Sequence, residues 1–160
     1  MVGQISESGA GPEEVRARRA FADNPLHELM GLTVDDAGVG FARLRMQTNR
    51  LTGGQGEGAI GGGVGGSVHG GLLAALVDIA ALQAVVHSLQ PGDRPAGTAD
   101  LGITYLRPAM GDSIVAEATI LRKGRQMVVI EVAITDASDR LCSKARVIYA
   151  LRQEARPGTA

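Results

Sequence analysis

The most constraining feature of this chain is one carboxylate inside a long apolar segment. Residues 72–89 have the length of a helix and are apolar at nearly every position, yet Asp78 interrupts them. A charge inside a buried helix costs free energy unless a partner or a function compensates it. His69, Gly70 and Gly71 come just before the segment, and glycine allows another group to approach the backbone closely. These residues predict a buried helix whose carboxylate has a chemical role.

Alternating hydrophobicity and turn residues predict two strands before this helix and four after it. A short helix over 12–21 comes first, and a turn at 35–38 joins the first two strands. The predicted strands are 32–34, 41–46, 98–106, 113–121, 126–135 and 141–151. We therefore predict an α+β fold, in which an antiparallel sheet lies against one long central helix.

The strand at 98–106 alternates along its length, which assigns its side chains to two faces. One face is predicted to hold Ala99, Leu101, Ile103 and Tyr105, and the other to hold Thr98, Asp100, Gly102 and Thr104.

The 160 residues suit a single domain. Residues 1–11 are polar and are predicted to be disordered, and the domain is expected to span 12–151. The glycine-rich stretch 53–66 is predicted to be a flexible loop, because glycine makes regular structure costly. A loose tail is expected at 152–160.

Composition argues against several classes of partner. A net charge of −1 gives no basic field for nucleic acid or an anionic membrane, and aromatic residues at 2% leave little for base stacking. The longest near-apolar run, 72–86, falls short of the roughly 20 residues that a membrane span needs. His27, His69 and His87 are spaced too widely for a metal site, so no metal is expected. With Cys142 as the one cysteine and no secretory signal, a cytoplasmic location is expected.

The spacing of His69 and Asp78 predicts how they could work together. Nine helical residues separate them by about 13 Å along the axis and place them on opposite faces. Within one chain they cannot form an acid–base pair. If both serve one reaction, Asp78 must face the helix start of a partner chain, and the protein must be an obligate dimer.

Three motifs together resemble the hotdog-fold acyl-CoA thioesterases: His69-Gly70-Gly71, Asp78, and the stretch 103–108, which reads Ile-Thr-Tyr-Leu-Arg-Pro. The similarity covers about residues 24–151 and is greatest to the phenylacetate-pathway (PaaI-like) branch, related to 4-hydroxybenzoyl-CoA thioesterase. The resemblance implies a sheet wrapped around the long helix and two subunits that pair into a continuous sheet, as a homodimer or as a homotetramer made of two dimers. It also implies hydrolysis of a medium-chain or aryl acyl-CoA to the free acid and coenzyme A, with no cofactor.

The resemblance assigns roles to five residues of the catalytic set. Gly70 is the expected main oxyanion donor through its backbone N–H, assisted by Gly71, while His69 orders the turn or touches the thioester. Asp78 is a general base that activates water, or a nucleophile that forms a mixed anhydride. Thr98 is the expected orienting hydroxyl.

Two segments are expected to contact coenzyme A, whose phosphates suit the forked donors of arginine. They contribute Tyr105, Arg107, Met110, Arg122, Lys123, Gly124 and Arg125.

One position departs from the resemblance. Many relatives carry an asparagine about six residues before the histidine, and position 63 here is glycine. Either Asn49 folds back to replace it, or the contact is missing. An alternative function is therefore a non-catalytic acyl-CoA-binding or regulatory hotdog protein. A hotdog dehydratase fits the motifs less well.

Overall fold

In a computed structural model, residues 12–49, 51–53 and 62–153 are described. The predictions for 1–11, for 54–61 and for 154–160 lie outside the described residues. The elements in chain order are α1 (Pro12–Ala22), α2 (Pro25–Leu29), β1 (Leu32–Gly38), β2 (Phe41–Gln47), α3 (Gly70–Val86), β3 (Asp93–Tyr105), β4 (Ser113–Lys123), β5 (Met127–Thr135) and β6 (Leu141–Gln153), with a short 3-10 helix at Val64–Gly66 before α3.

The six strands form one antiparallel sheet in the order β1-β2-β4-β5-β6-β3, with α3 packed on one face. This confirms the predicted α+β architecture and the hotdog fold, a sheet around one central helix. The core lies between them, where Leu76, Val77 and Ala80 of the helix meet fully buried sheet residues, among them Leu44, Ile114, Ile130, Val132 and Val147. Burying such side chains stabilises the fold by roughly 1.5–3 kcal/mol each.

One stripe of α3 is only half-buried. It contains Leu72, Ala75, Asp78 and Leu82, which recur at the three- and four-residue spacing of one helix face. The stripe is apolar except for Asp78, so this face suits contact with another apolar surface.

The central helix begins and ends earlier than predicted, at Gly70–Val86 instead of 72–89. Its C-terminal end is stabilised by Ser88, whose hydroxyl donates to the Ala84 carbonyl at 2.9 Å and accepts from the Gly40 N–H at 2.6 Å. These bonds satisfy a helix carbonyl and attach the β1–β2 turn to the end of the helix.

The turn predicted at 35–38 is wrong, because β1 continues through it to Gly38. The strand pairing shifts at a β-bulge between Val34 and Asp36. The chain reverses direction after the strand ends, at Gly40, whose φ is +81°. Glycine adopts this left-handed conformation without strain.

Strands β3 and β6 are longer than predicted. Pro95 is tolerated within β3 because this strand lies at the sheet edge and bulges between Pro95 and Gly97. Strand β6 continues to Gln153, so the tail expected from 152 begins with two paired residues, Arg152 and Gln153. Part of the stretch predicted as a flexible loop has regular structure. Gly62 forms an isolated β-bridge with Val68, and the 3-10 helix occupies Val64–Gly66.

The elements define two ends of the molecule. The helix-start end contains Gly70 and Tyr105, where α3 begins and β3 ends. The hairpin end contains Lys123 and Asp93, where the β4–β5 hairpin turns and β3 begins. The 17 residues of α3 span about 25 Å between these ends. Among the described helices, none is both long enough and apolar enough to cross a membrane.

Candidate active site

His69 caps the start of α3. Its backbone is extended, with φ −63° and ψ 134°, and its Nδ1 accepts a hydrogen bond from the Gly71 N–H at 3.0 Å. A neutral imidazole that accepts at Nδ1 carries its proton on Nε2. The exposed ring therefore orders the turn with one edge and presents an N–H donor at the other.

The helix start leaves the backbone N–H of Gly70 open. The N–H groups of Leu72 and Leu73 donate to the His69 carbonyl at 2.9 and 3.3 Å, and that of Gly71 is used by the imidazole. Among the hydrogen bonds between described residues, none uses the Gly70 N–H. An open N–H at the positive end of a helix dipole can bind a developing oxyanion.

A groove of about 740 Å³ lies at this helix start. We call it the helix-start groove; it is lined by residues 67–70 and 105–109, with Gly62, Gly63 and Leu73. Tyr105 covers Gly70, donating from its hydroxyl to the Gly70 carbonyl at 2.7 Å. A Cβ on Gly70 would lie 3.2 Å from the Tyr105 ring, so only glycine fits there without displacing the ring. Arg107 lines the groove, whereas Met110 lies outside its lining.

Asp78 lies on the half-buried stripe of α3, eight residues beyond Gly70. The Thr98 hydroxyl donates to its Oδ1 at 2.5 Å. Among the described residues, no other group donates a hydrogen bond to this carboxylate. Its second oxygen is therefore available to a substrate or to water.

A β-bulge turns Thr98 towards Asp78. The ladder pairs Thr98 with Tyr149 and Asp100 with Ile148, so Ala99 is the extra residue of the bulge. The prediction that Thr98 shares a face with Asp100, Gly102 and Thr104 is therefore wrong. Asp100 pairs with Arg146 on the outer face of the sheet, whereas Thr98 faces the helix.

Sequence reasoning missed Tyr149, which lies behind this pair. It is buried on β6, opposite Thr98. Burial raises the pKa of its phenol, and the negative charge of Asp78 raises that pKa further. Alternation within 141–151 marks position 149 only as a buried strand position, so the sequence held no signal for its proximity to Asp78.

Position 63 has no room for the expected asparagine. A Cβ on Gly63 would lie 2.7 Å from the Ser67 hydroxyl oxygen and 3.1 Å from the Val68 carbonyl. Asn49 does not replace it, because its Oδ1 accepts from the N–H groups of Leu51 and Thr52. The amide nitrogen of Asn49 donates to the Leu29 carbonyl.

A second pocket lies at the hairpin end, with a volume of about 1060 Å³. We call it the arginine pocket; it is lined by Arg122, Arg125 and Arg152 over the apolar residues Met127, Val129 and Leu151, with Gly124, Gln126 and Gln153. Arg152 was placed in the loose tail by sequence reasoning and was missed.

Lys123 turns away from this pocket. Its ammonium donates to the Asp93 carboxylate at 2.5 Å, and Asp93 also accepts from Gln153 at 2.7 Å. Burial opposes ionisation of Asp93, but the hydrogen bonds from Lys123, Gln90 and Gln153 outweigh it and lower the pKa. Lys123 therefore holds the hairpin in place, and the three arginines carry the accessible charge.

The described residues contain no group of three or more His, Cys, Asp and Glu side chains that could hold a metal ion.

Comparison with known proteins gives a consistent picture. Residues 65–143 match the model of the thioesterase superfamily. A Halobacterium salinarum protein named "Putative esterase VNG_1336C" is 36% identical over 118 residues, which cover 73% of this chain and 74% of that protein. Human acyl-coenzyme A thioesterase 13 is 34% identical over 83 residues, 51% of this chain and 58% of that enzyme. A crystal structure of the Bacillus halodurans protein BH2602 with CoA superposes with a TM-score of 0.67 at 22% identity, covering 88% of this chain and 84% of that one.

Proposed function

This chain belongs to the thioesterase superfamily, and we propose that it is an acyl-CoA thioesterase that hydrolyses medium-chain or aryl acyl-CoA in the cytoplasm. The observation that carries the proposal is the pairing of two chemical features in one helix. An open backbone N–H stands at its start, at Gly70, and a carboxylate held by Thr98 stands on its half-buried stripe, at Asp78.

Gly70 activates the thioester carbonyl in this mechanism. The thioester carbonyl oxygen accepts the Gly70 N–H, and the helix dipole stabilises the negative charge that develops there. His69 holds the turn and offers its Nε2–H to the same substrate, while Tyr105 holds the next peptide, between Gly70 and Gly71, through the Gly70 carbonyl.

Asp78 supplies the hydrolytic half. With Thr98 on one oxygen, the other removes a proton from water, which attacks the thioester carbon. The C–S bond then breaks, and the departing thiolate of coenzyme A takes a proton to give the free thiol and the carboxylic acid. The nucleophilic alternative, a mixed anhydride on Asp78 that water hydrolyses, uses the same geometry.

The two halves come from different subunits in this proposal. Asp78 and the Gly70 N–H lie on the same helix about 12 Å apart along its axis, too far to act on one carbonyl. The open edge of β3 and the apolar stripe around Asp78 support pairing of two chains through β3, in a homodimer or in a tetramer built from two such dimers.

The same two-fold pairing explains how two distant segments could bind one coenzyme. Antiparallel pairing of β3 with its copy brings the hairpin end of one chain towards the helix-start end of the other. Phosphates of a substrate in the helix-start groove could then reach the arginine pocket of the partner, where Arg122, Arg125 and Arg152 provide forked donors.

The second candidate function is an acyl-CoA-binding or regulatory protein without catalysis. The glycine at position 63 favours it, because the site lacks one expected contact with the thioester. Both candidates bind acyl-CoA, so binding alone does not separate them.

Release of free thiol from a panel of acyl-CoA substrates tests the proposal, with the wild type compared with Asp78→Asn. We expect hydrolysis by the wild type and a loss of at least about 100-fold in kcat for Asp78→Asn, which keeps the shape of the carboxylate but not its charge. Binding without hydrolysis by the wild type would favour the second candidate. Full activity of Asp78→Asn would contradict the mechanism.

Mixing two inactive variants tests the shared site. A heterodimer of Asp78→Asn with Gly70→Ala contains one site with both functional groups intact, so part of the activity should return. A mixture that forms heterodimers and stays inactive would show that both groups do not meet across the interface.

A further inference from the structure

Tyr149 is a polar exception within an apolar row. The helix-facing side chains around it on β6 are Val147 and Leu151, and all three are buried, with Tyr149 only 6% exposed. A tyrosine in an apolar row usually directs its hydroxyl towards a polar group or water. Among the hydrogen bonds between described residues, none involves the Tyr149 hydroxyl.

The sheet register places Tyr149 beside Thr98, the hydrogen-bond partner of Asp78. Tyr149 stands directly opposite Thr98, and residues paired in this way point to the same face with Cβ atoms about 4.5–5.5 Å apart. Thr98 in turn donates to Asp78 Oδ1. The helix, the edge strand and its neighbour therefore each contribute one polar side chain to this part of the molecule.

The electrostatics support this placement. The charge of Asp78 adds to burial in raising the pKa of Tyr149, so the phenol keeps its proton and its O–H dipole faces a field set by the carboxylate. A phenol that keeps its proton can turn the positive end of its O–H dipole towards a nearby carboxylate and so favour one orientation of that group.

We propose that Tyr149 is a positioning residue that acts through Asp78, the dipole of its hydroxyl and the hydrogen bond from Thr98 together holding the carboxylate in its reactive orientation. This rests on the proposed function, because it gives Tyr149 a role in the same hydrolysis. The hydroxyl, and not only the ring, then matters to turnover.

An absorbance titration tests the coupling without activity. The chain has two tyrosines and no tryptophan, so Tyr105→Phe leaves Tyr149 as the one phenol. Its ultraviolet phenolate absorbance is followed against pH in this background, with Asp78 and with Asp78→Asn, and circular dichroism identifies the range in which the fold persists. We expect the midpoint to move to lower pH when the negative charge is removed. Coincident curves within that range would overturn the proposal.

Kinetics test the function of the Tyr149 hydroxyl. If the chain unfolds before the phenolate forms, the titration gives no midpoint and the kinetics alone test the proposal. Tyr149→Phe should lower kcat about tenfold with KM nearly unchanged, because the ring still fills its space. The matched control is Ser143→Ala, which removes a fully buried hydroxyl from the same strand and face, one without a hydrogen-bond partner among the described residues. Its kcat should equal that of the wild type. If Tyr149→Phe behaves like this control, the ring is merely structural and the proposal fails.

A double-mutant cycle with Thr98→Val completes the test. Two residues that act through one carboxylate should show non-additive losses in kcat, whereas independent residues show additive ones. Additive losses would overturn the proposal. A wild type without hydrolysis would contradict the proposed function, while the titration would still report whether Tyr149 and Asp78 are coupled.

Discussion

The Thr98 hydroxyl donates to Asp78 Oδ1 at 2.5 Å, across the gap between the edge strand and the central helix. The bond exists because a β-bulge at Ala99 reverses the face on which Thr98 lies. β-Bulges often reorient one side chain next to an active site. Here the bulge gives the carboxylate a defined orientation and leaves one of its oxygens available.

The contribution of the Thr98 hydroxyl to catalysis can be measured separately from that of the side chain's shape. Thr98→Val keeps the branched side chain but loses a hydrogen bond to a charged group, which is worth about 1.5–3 kcal/mol. We expect kcat/KM for acyl-CoA hydrolysis to fall about 10- to 100-fold. Thr98→Ser should retain most of the activity, and an unimpaired Thr98→Val would show that the bond has no catalytic importance.

A side chain at Gly70 should lower turnover without unfolding the protein. A Cβ would lie 3.2 Å from the Tyr105 ring, so the ring or the Gly70 backbone that carries the open N–H must shift by a few tenths of an ångström. We expect Gly70→Ala to lower kcat about 100-fold, in the range found for loss of an oxyanion donor, with the melting temperature nearly unchanged. Gly38→Ala is the matched control, because no heavy atom lies within 4 Å of its added Cβ. Equal turnover by the two variants would argue against an oxyanion role for Gly70.

Introducing at position 63 the asparagine that the resemblance leads us to expect should not improve catalysis. Gly63→Asn places a side chain where the Ser67 oxygen already lies, 2.7 Å from the new Cβ. We expect lower stability by denaturant unfolding and no gain in kcat. A variant that is both stable and more active would show that the segment rearranges to accept the amide.

The arginine pocket should affect KM more than kcat. Arg125→Ala and Arg152→Ala should each raise KM for acyl-CoA several-fold and weaken its dependence on salt, because a phosphate contact is lost. A thioester of a short thiol without phosphates should show no such change. Arg45→Ala is the control, since Arg45 is paired with Asp35 away from this pocket. Equal effects on both thioesters would contradict phosphate binding.

The architecture and the presence of the central helix could be predicted because they depend on local pattern, although the helix begins two residues earlier than predicted. A nearly continuous apolar run marks α3, and alternating hydrophobicity marks the strands. The faces on which the side chains of β3 lie could not all be predicted. The extra residue Ala99 moves Thr98 to the other face of the sheet, and the alternation of polar and apolar residues in the sequence does not reveal it. Two further features could not be predicted either. The position of Tyr149 near Asp78 depends on strand register, and the ion pair of Lys123 with Asp93 depends on a partner distant in the sequence. Neither leaves a trace in the local sequence pattern.

Acid should expose the contribution of the β5–β6 turn to stability. Burial of Asp136 favours its neutral form, but hydrogen bonds from Arg140 and from the Ser138 and Arg140 N–H groups outweigh burial and lower its pKa from 3.8 to about 2. A carboxyl with a lower pKa in the folded state stabilises the fold above pH 3.8, and this stabilisation is lost as the pH falls towards 2. The shift corresponds to about 2 kcal/mol. Asp136→Asn should therefore lower the free energy of unfolding by about 2 kcal/mol at pH 7 in urea titrations, with a smaller difference from the wild type near pH 2. A difference that stays constant between these pH values would show that the ionised carboxylate is not the stabilising group.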